Sequence, residues 1–157
     1  MFVILMLFIW ILVELVSIYS IIKKKHLLFD ERITTTMCTA ITMISSFSIA
    51  LHIKLLLPEP HIAFYLFPIL TGLIIGWKFD KIIKPAALSG IYHGTMGGIM
   101  GMMLGSVLLN PALCNIPIKS DAMMVTNMYS LAMFIALIHG LISHLIRYSF
   151  KGRGGNK

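Results

Sequence analysis

An all-α, polytopic integral membrane bundle of five transmembrane helices, N-terminus outside and C-terminus cytoplasmic, is the fold this sequence predicts, and three observations predict it. First, 58% of the 157 residues are hydrophobic and only 12% are charged, whereas a soluble domain carries about 45–50% and about 25%. The mean hydropathy of +0.91 therefore records a missing polar surface, which argues against a water-soluble enzyme. Second, cutting the chain at its charge and proline clusters leaves five apolar runs, 1–22, 34–57, 61–78, 85–109 and 123–148. Each holds at least 18 residues, enough to cross a hydrocarbon core about 30 Å thick. Third, eleven of the 13 Lys and Arg residues fall on one side of such a bundle: Lys23, Lys24, Lys25 and Arg32, then Lys78, Lys81 and Lys84, then Arg147, Lys151, Arg153 and Lys157. Basic residues mark the cytoplasmic side, which sets the orientation. Lys54 and Lys119 fall opposite, with Lys54 near enough to a helix end to snorkel outward.

The first run has no basic residues before it, no small-residue cleavage pattern after it and Glu14 inside it, so it reads as a retained span and not as a removable signal peptide. Pro58, Glu59 and Pro60 close the second and third runs into an outer hairpin, because proline ends one helix and starts the next. Pro85 starts the fourth run similarly. Asn110, Pro111 and Pro117 mark the longest outer loop, and Ser120 and Asp121 are caps for the last helix. Residues 1–150 form a single transmembrane domain, and 151–157 read as a disordered basic cytoplasmic tail. Cys38 near the inner side and Cys114 in the outer loop are too far apart for an intrachain disulfide. The net charge of +7 is thus a topology signal directed at anionic inner-leaflet lipid. Nucleic acid is not an expected partner.

The fourth run carries most of the distinctive pattern. Six of the 12 glycines lie between Ser89 and Gly105. Gly90, Gly94 and Gly98 form one i+4 stripe and Gly97, Gly101 and Gly105 an adjacent one, the small-xxx-small spacing that lets helix backbones approach closely in lipid. Gly72 and Gly76 on the third run offer a matching groove, so the spacing fits an intrachain contact, a homo-oligomer or a larger membrane partner equally. On the same helix His93, Met96, Met100 and Met103 fall on one face, with Met102 displaced around it. The last run adds Met124, Met128, Met133 and His139. Thioether and imidazole are ligands for Cu(I) that bring no negative charge into lipid. The Met-xxx-Met spacings Met96/Met100 and Met124/Met128, beside a GxxxG helix, resemble the intramembrane methionine pairs of Ctr-type copper importers. That resemblance covers these short patterns alone, since those importers have three spans and a methionine-rich outer tail, and no site is transferred from it.

Glu14, His93 and His139 each lie eight or nine residues from the inner end of their helices, roughly 12–14 Å above the inner boundary. An acid inside the bilayer costs about 2.5–3.5 kcal/mol or more if it faces lipid, so Glu14 must turn inward and pair. At the same level stand Thr42 and Thr71, and Cys38, Thr42, Ser45 and His52 run along one side of the second helix as a stripe able to line a cavity. His26, His144 and His61 are placed at the interfaces.

Four functions fit this pattern. The first is metal-ion handling of copper type, with Met103, Met100 and Met96 leading inward to His93, Glu14 and His139. The second is a bis-histidine haem protein using His93 and His139, each followed by a glycine. The third is a non-catalytic accessory subunit docking through the glycine helix, and the fourth is proton-coupled transport through Glu14. There is no nucleotide loop, no HExxH and no second intramembrane carboxylate to divide acid and base roles, so no catalytic residue is assigned and no enzyme is expected.

Overall fold

A computed structural model describes residues 1–25, 30–57, 62–82, 88–114 and 120–154. Among these residues there are five α-helices and no strand: α1 (Phe2–Lys25), α2 (Glu31–Leu56), α3 (Ile62–Asp80), α4 (Ser89–Leu109) and α5 (Asp121–Gly154), with a short 3₁₀ turn at Pro111–Cys114. Local chemistry sets the visible ends. Asp30 sits in extended conformation and its carboxylate accepts the Glu31 N–H at 2.9 Å, so α2 starts three residues before the apolar run does. Ser120 accepts the Met123 N–H at 3.3 Å at the head of α5. Lys23, Lys24 and Lys25 occupy the last turn of α1, where cations complement the helix dipole. The helix of α5 continues to Gly154, so residues 151–154, expected in a disordered tail, are helical. The hairpin prolines Pro58 and Pro60, with Glu59, His26, His61, Pro85, Pro117 and Lys119, lie outside the described residues.

Three helices, not five, are long and apolar enough to cross a membrane by length and composition: Phe2–Lys25, Glu31–Leu56 and Ala122–Lys151, with mean hydropathies of 2.6, 1.5 and 1.8. The other two helices fall short of that measure for two reasons. The apolar part of α3 within the described residues is the shorter Leu66–Phe79, and α4 is diluted by its six glycines together with Ser89, His93 and Thr95.

Consecutive helices alternate in direction. Ile4 clusters with Leu51 and Leu55 of α2, Ile11 with Ile49 and Ile53, and Ile18 and Ile22 with Cys38 and Ile41, so α1 and α2 are antiparallel. In those same clusters α5 runs parallel to α1, through Ala132 and Ile135, then Ala136, then Ile146 and Phe150. Gly72 faces Gly94, Gly76 faces Gly90 and Pro68 faces Gly98, which makes α3 and α4 antiparallel. Gly97 faces Met43, Gly101 faces Phe47 and Gly105 faces Leu51, which makes α2 and α4 parallel. The result is an up-down-up-down-up bundle with α2 in the middle, packed by all four others.

Burial is inverted relative to a soluble protein. The least apolar of the three long helices, α2, is 61% buried over its most apolar window, whereas α1, the most apolar, is 17% buried. Thr42, Ser45, Ser46, Ser48, His52 and His139 are wholly enclosed. The outward faces are Val13, Val16, Leu70, Ile74, Leu137 and Leu141. In water such an arrangement would forfeit the hydrophobic drive.

Candidate functional site

The two glycine stripes of α4 have different neighbours. A Cβ built on Gly94 would run into the Gly72 carbonyl and one on Gly98 would lie 2.6 Å from the Pro68 carbonyl oxygen, so the first stripe receives α3. A Cβ on Gly97 would meet the Met43 carbonyl and one on Gly101 the Phe47 carbonyl, while at Gly105 it would lie 2.9 Å from Lys54 Cβ, so the second stripe receives α2. Backbone carbonyls occupy the space that side chains normally fill, and only glycine permits that approach. Both stripes are engaged within the chain, which leaves the opposite face of α4 turned outward. That face is the methionine ladder: Met100 and Met103 are 45% and 65% exposed, while Met102, displaced around the helix, is 6% exposed.

His93 stands at the inner end of the ladder. Its Nδ1–H donates to the Ser89 carbonyl at 2.7 Å, because a carbonyl can only accept, and Nε2 is left with a bare lone pair. With Met96, Tyr92, Ser89, Leu88 and Thr95 it lines an open groove of about 700 Å³.

Glu14 belongs to a different environment. Its carboxylate takes a hydrogen bond of 2.6 Å from the Arg147 guanidinium, which also donates to Ser17 Oγ at 3.0 Å. Arg147, read from the sequence as one of the boundary cations, is therefore the partner of the intramembrane acid, in place of a histidine or metal. The parallel register of α1 and α5 brings them together, and Trp10 against Gly140 marks the same register one turn earlier.

His139 is enclosed between α2 and α5, with Nε2 and Ser45 Oγ 3.0 Å apart. Two turns towards the outer end of α2, His52 donates Nδ1–H to the Ser48 carbonyl at 2.7 Å and stacks on Phe8 of α1, ring centroids 6.5 Å apart. The six residues proposed for one metal path are thus distributed. His93 and Met96 line the groove at the start of α4, Met103 lines a separate pocket with Ile69, Met102 and Leu113, Met100 is exposed between them, Glu14 is with Arg147, and His139 is with Ser45. Among the described residues no three His, Cys, Asp or Glu side chains converge to hold a metal ion.

What the fold does bring together is a polar seam among α1, α2 and α5. Ser45, Ser48 and His52 come from α2, and His139, Ser143 and Arg147 come from α5 at successive i+4 positions, with Glu14 and Ser17 at the inner end, while the Thr42 methyl lies against Gly94 of α4. The hydroxyls separate into two kinds. Thr35, Thr36, Ser46, Thr71, Thr95, Thr126 and Ser149 bond carbonyls of their own helices, the silent habit of Ser and Thr in helices. The second kind, joined by ring and guanidinium nitrogens, has no partner among the described residues: Thr42 Oγ1, Ser48 Oγ, His52 Nε2, His139 Nδ1, Ser143 Oγ and Arg147 Nε are buried and unbonded. Sequence reasoning placed Thr42, Ser45 and His52 on one stripe. It missed Ser48, Ser143 and Arg147, although the i+4 spacing of His139, Ser143 and Arg147 was the available signal.

Comparison with protein-family models, with curated proteins and with solved structures finds no match.

Proposed function

We propose that this chain is a five-span membrane protein, N-terminus outside and C-terminus cytoplasmic, that passes a small cation along the seam between α1, α2 and α5. Alternating helix directions, outward apolar faces and the one-sided distribution of Lys and Arg support the topology. In it α3 and α4 cross as a close-packed pair whose glycine contacts stand in for hydropathy. The observation that carries the function is the set of six buried polar atoms on α2 and α5 that have no partner among the described residues. Left unsatisfied, each costs about 1–3 kcal/mol, a total comparable with the whole net stability of about 5–15 kcal/mol of a folded domain. A seam of this kind is kept for a mobile polar occupant. Its lining is neutral hydroxyl and imidazole, and its one acid is already neutralised by Arg147, so a cation is held weakly enough to leave. In proteoliposomes carrying a potential-sensitive dye, an imposed cation gradient is expected to move charge through the wild type, and His52→Leu/His139→Leu to abolish it. Equal currents in both would exclude the seam as the path.

Copper-type metal handling on the outer face of α4 is the second reading, favoured by the bare Nε2 of His93 beside the accessible thioethers of Met96, Met100 and Met103. In this reading a neighbouring molecule supplies the remaining ligands. Purified protein is expected to bind Cu(I) with a stoichiometry that falls in Met100→Leu/Met103→Leu and in His93→Ala. Unchanged stoichiometry in both variants would dismiss that face as a metal site.

A further inference from the structure

We infer that the occupant of the seam is the proton, relayed between His52 and His139 and delivered to the Glu14–Arg147 end; this rests on the cation-path reading above. Three observations select the proton from among cations. The first is closeness of packing. The seam residues Ser45, Ser48, His52 and His139 are 0% exposed and Ser143 is 1% exposed, whereas a metal or alkali cation crossing the bilayer must exchange its hydration shell for several converging ligands. No such convergence of His, Cys, Asp or Glu exists among the described residues. A proton requires only a file of groups that each donate and accept.

The second observation is the chemistry of those groups. Hydroxyls and imidazoles are the side chains that can take a hydrogen-bonded proton on one side and release one on the other. His52 is fixed in one tautomer, because its Nδ1–H is committed to the Ser48 carbonyl, so its enclosed Nε2 is a proton acceptor. His139 Nδ1 is likewise without a partner among the described residues, while Nε2 is engaged with Ser45.

The third observation is length. His139 is level with Ser45, seven residues inward from His52 along α2, and Arg147 lies eight residues further along α5. At about 1.5 Å per residue the seam spans roughly 22 Å of a core about 30 Å thick. Arg147 is 38% exposed, so the inner end opens near the boundary. Ordered water completing this file would satisfy the partnerless atoms, each such water needing two to four polar neighbours.

The transfer balances without a co-reactant. His52 Nε2 takes a proton arriving from the outer side and becomes imidazolium, then gives a proton up from the same Nε2, because Nδ1–H stays on the Ser48 carbonyl. His139 takes that proton at Nδ1 and gives it up again from Nδ1 towards Ser143 and the Glu14–Arg147 end, with Nε2 kept on Ser45 throughout. Each ring returns to its starting protonation state and nothing is oxidised or reduced.

The test is proton uptake into proteoliposomes loaded with a luminal pH dye, driven by a potassium diffusion potential set with valinomycin. Wild type is expected to acidify the lumen and to do so more slowly in D₂O. His139→Gln keeps an N–H for Ser45 and a similar volume but cannot accept a proton, so its rate should fall by about tenfold or more while its melting temperature stays near that of wild type. His52→Gln should behave likewise. Wild-type rates in His139→Gln would overturn the assignment of stations. A silent pH dye together with histidine-dependent uptake of Cu(I), Zn²⁺ or Na⁺ would overturn the proton and leave the cation path standing. No flux of any ion would remove both.

Discussion

Gly101→Leu is expected to prevent assembly of the bundle, giving aggregated or degraded protein in place of a monodisperse species in mild detergent. A Cβ at this position meets the Phe47 carbonyl and lies 3.1 Å from Ala50 Cβ, and backbone cannot swing aside as a side chain does. Overpacking a well-packed core costs about 1–3 kcal/mol for extra methylenes and more when the backbone must move. Against a net stability of about 5–15 kcal/mol, driving α2 and α4 apart along their shared length exceeds what the fold tolerates. A graded series isolates the cause. Gly101→Ala should lower the melting temperature and still fold, and Gly105→Ala should lower it less, because there the new Cβ meets the Lys54 side chain at 2.9–3.0 Å and no carbonyl. If Gly101→Leu melted with the wild type, α2 and α4 would not meet at this glycine.

Arg147→Ala is the second large effect. It removes the hydrogen-bond partner of the Glu14 carboxylate, which is 18% exposed and on the helix face where α1 meets α5. Breaking a buried pair from one side costs about 3–5 kcal/mol; because Arg147 is itself 38% exposed, a loss nearer about 2–3 kcal/mol is expected after allowance for screening. Glu14→Gln removes the charge that would be stranded, so Glu14→Gln/Arg147→Ala should be more stable than Arg147→Ala alone. The coupling from the four-member cycle should be about 1–3 kcal/mol. Purely additive effects in thermal unfolding would show that the two side chains do not act on each other. The exchange Glu14→Arg/Arg147→Glu should recover part of the loss, since the ion pair is kept while the hydrogen bond to Ser17 is changed.

Several features of this fold were legible in the residues themselves. Helix existence follows from long apolar runs, and all five runs are helical. The start of α5 follows from Ser120, whose side-chain oxygen accepts an orphan N–H, whereas the start of α2 at Asp30 lies ahead of the apolar run that announced it. The i+4 glycines identified α4 as the helix of closest approach. The depth argument put Glu14 where lipid would reject it and demanded a partner.

The identity of that partner was not legible. Arg147 lies 133 positions from Glu14, and a count of charges by loop assigns it to the boundary, because the length of α5 beyond Phe150 is invisible in hydropathy. The same holds for the methionine ladder. Periodicity places His93, Met96, Met100 and Met103 on one face of α4, but a face has no inward or outward label until its neighbours are known. Here the glycines win the interior, because they let backbones touch, and the ladder is turned out.

Taken alone, the sequence determined the number of helices and the two glycine stripes, both of which depend on local composition and the 3.6-residue period. Only the tertiary structure decided which stripe meets α3 and which meets α2, that Arg147 pairs with Glu14, and that Ser48, His52, His139 and Ser143 share one seam. The physical reason is the uniform apolarity of the helices. In water the hydrophobic effect sets each helix's rotation from its own amphipathic pattern. In lipid that drive is absent between helices, and the rotation of α1, α2 and α5 is set by close packing and by polar groups finding one another across the bundle.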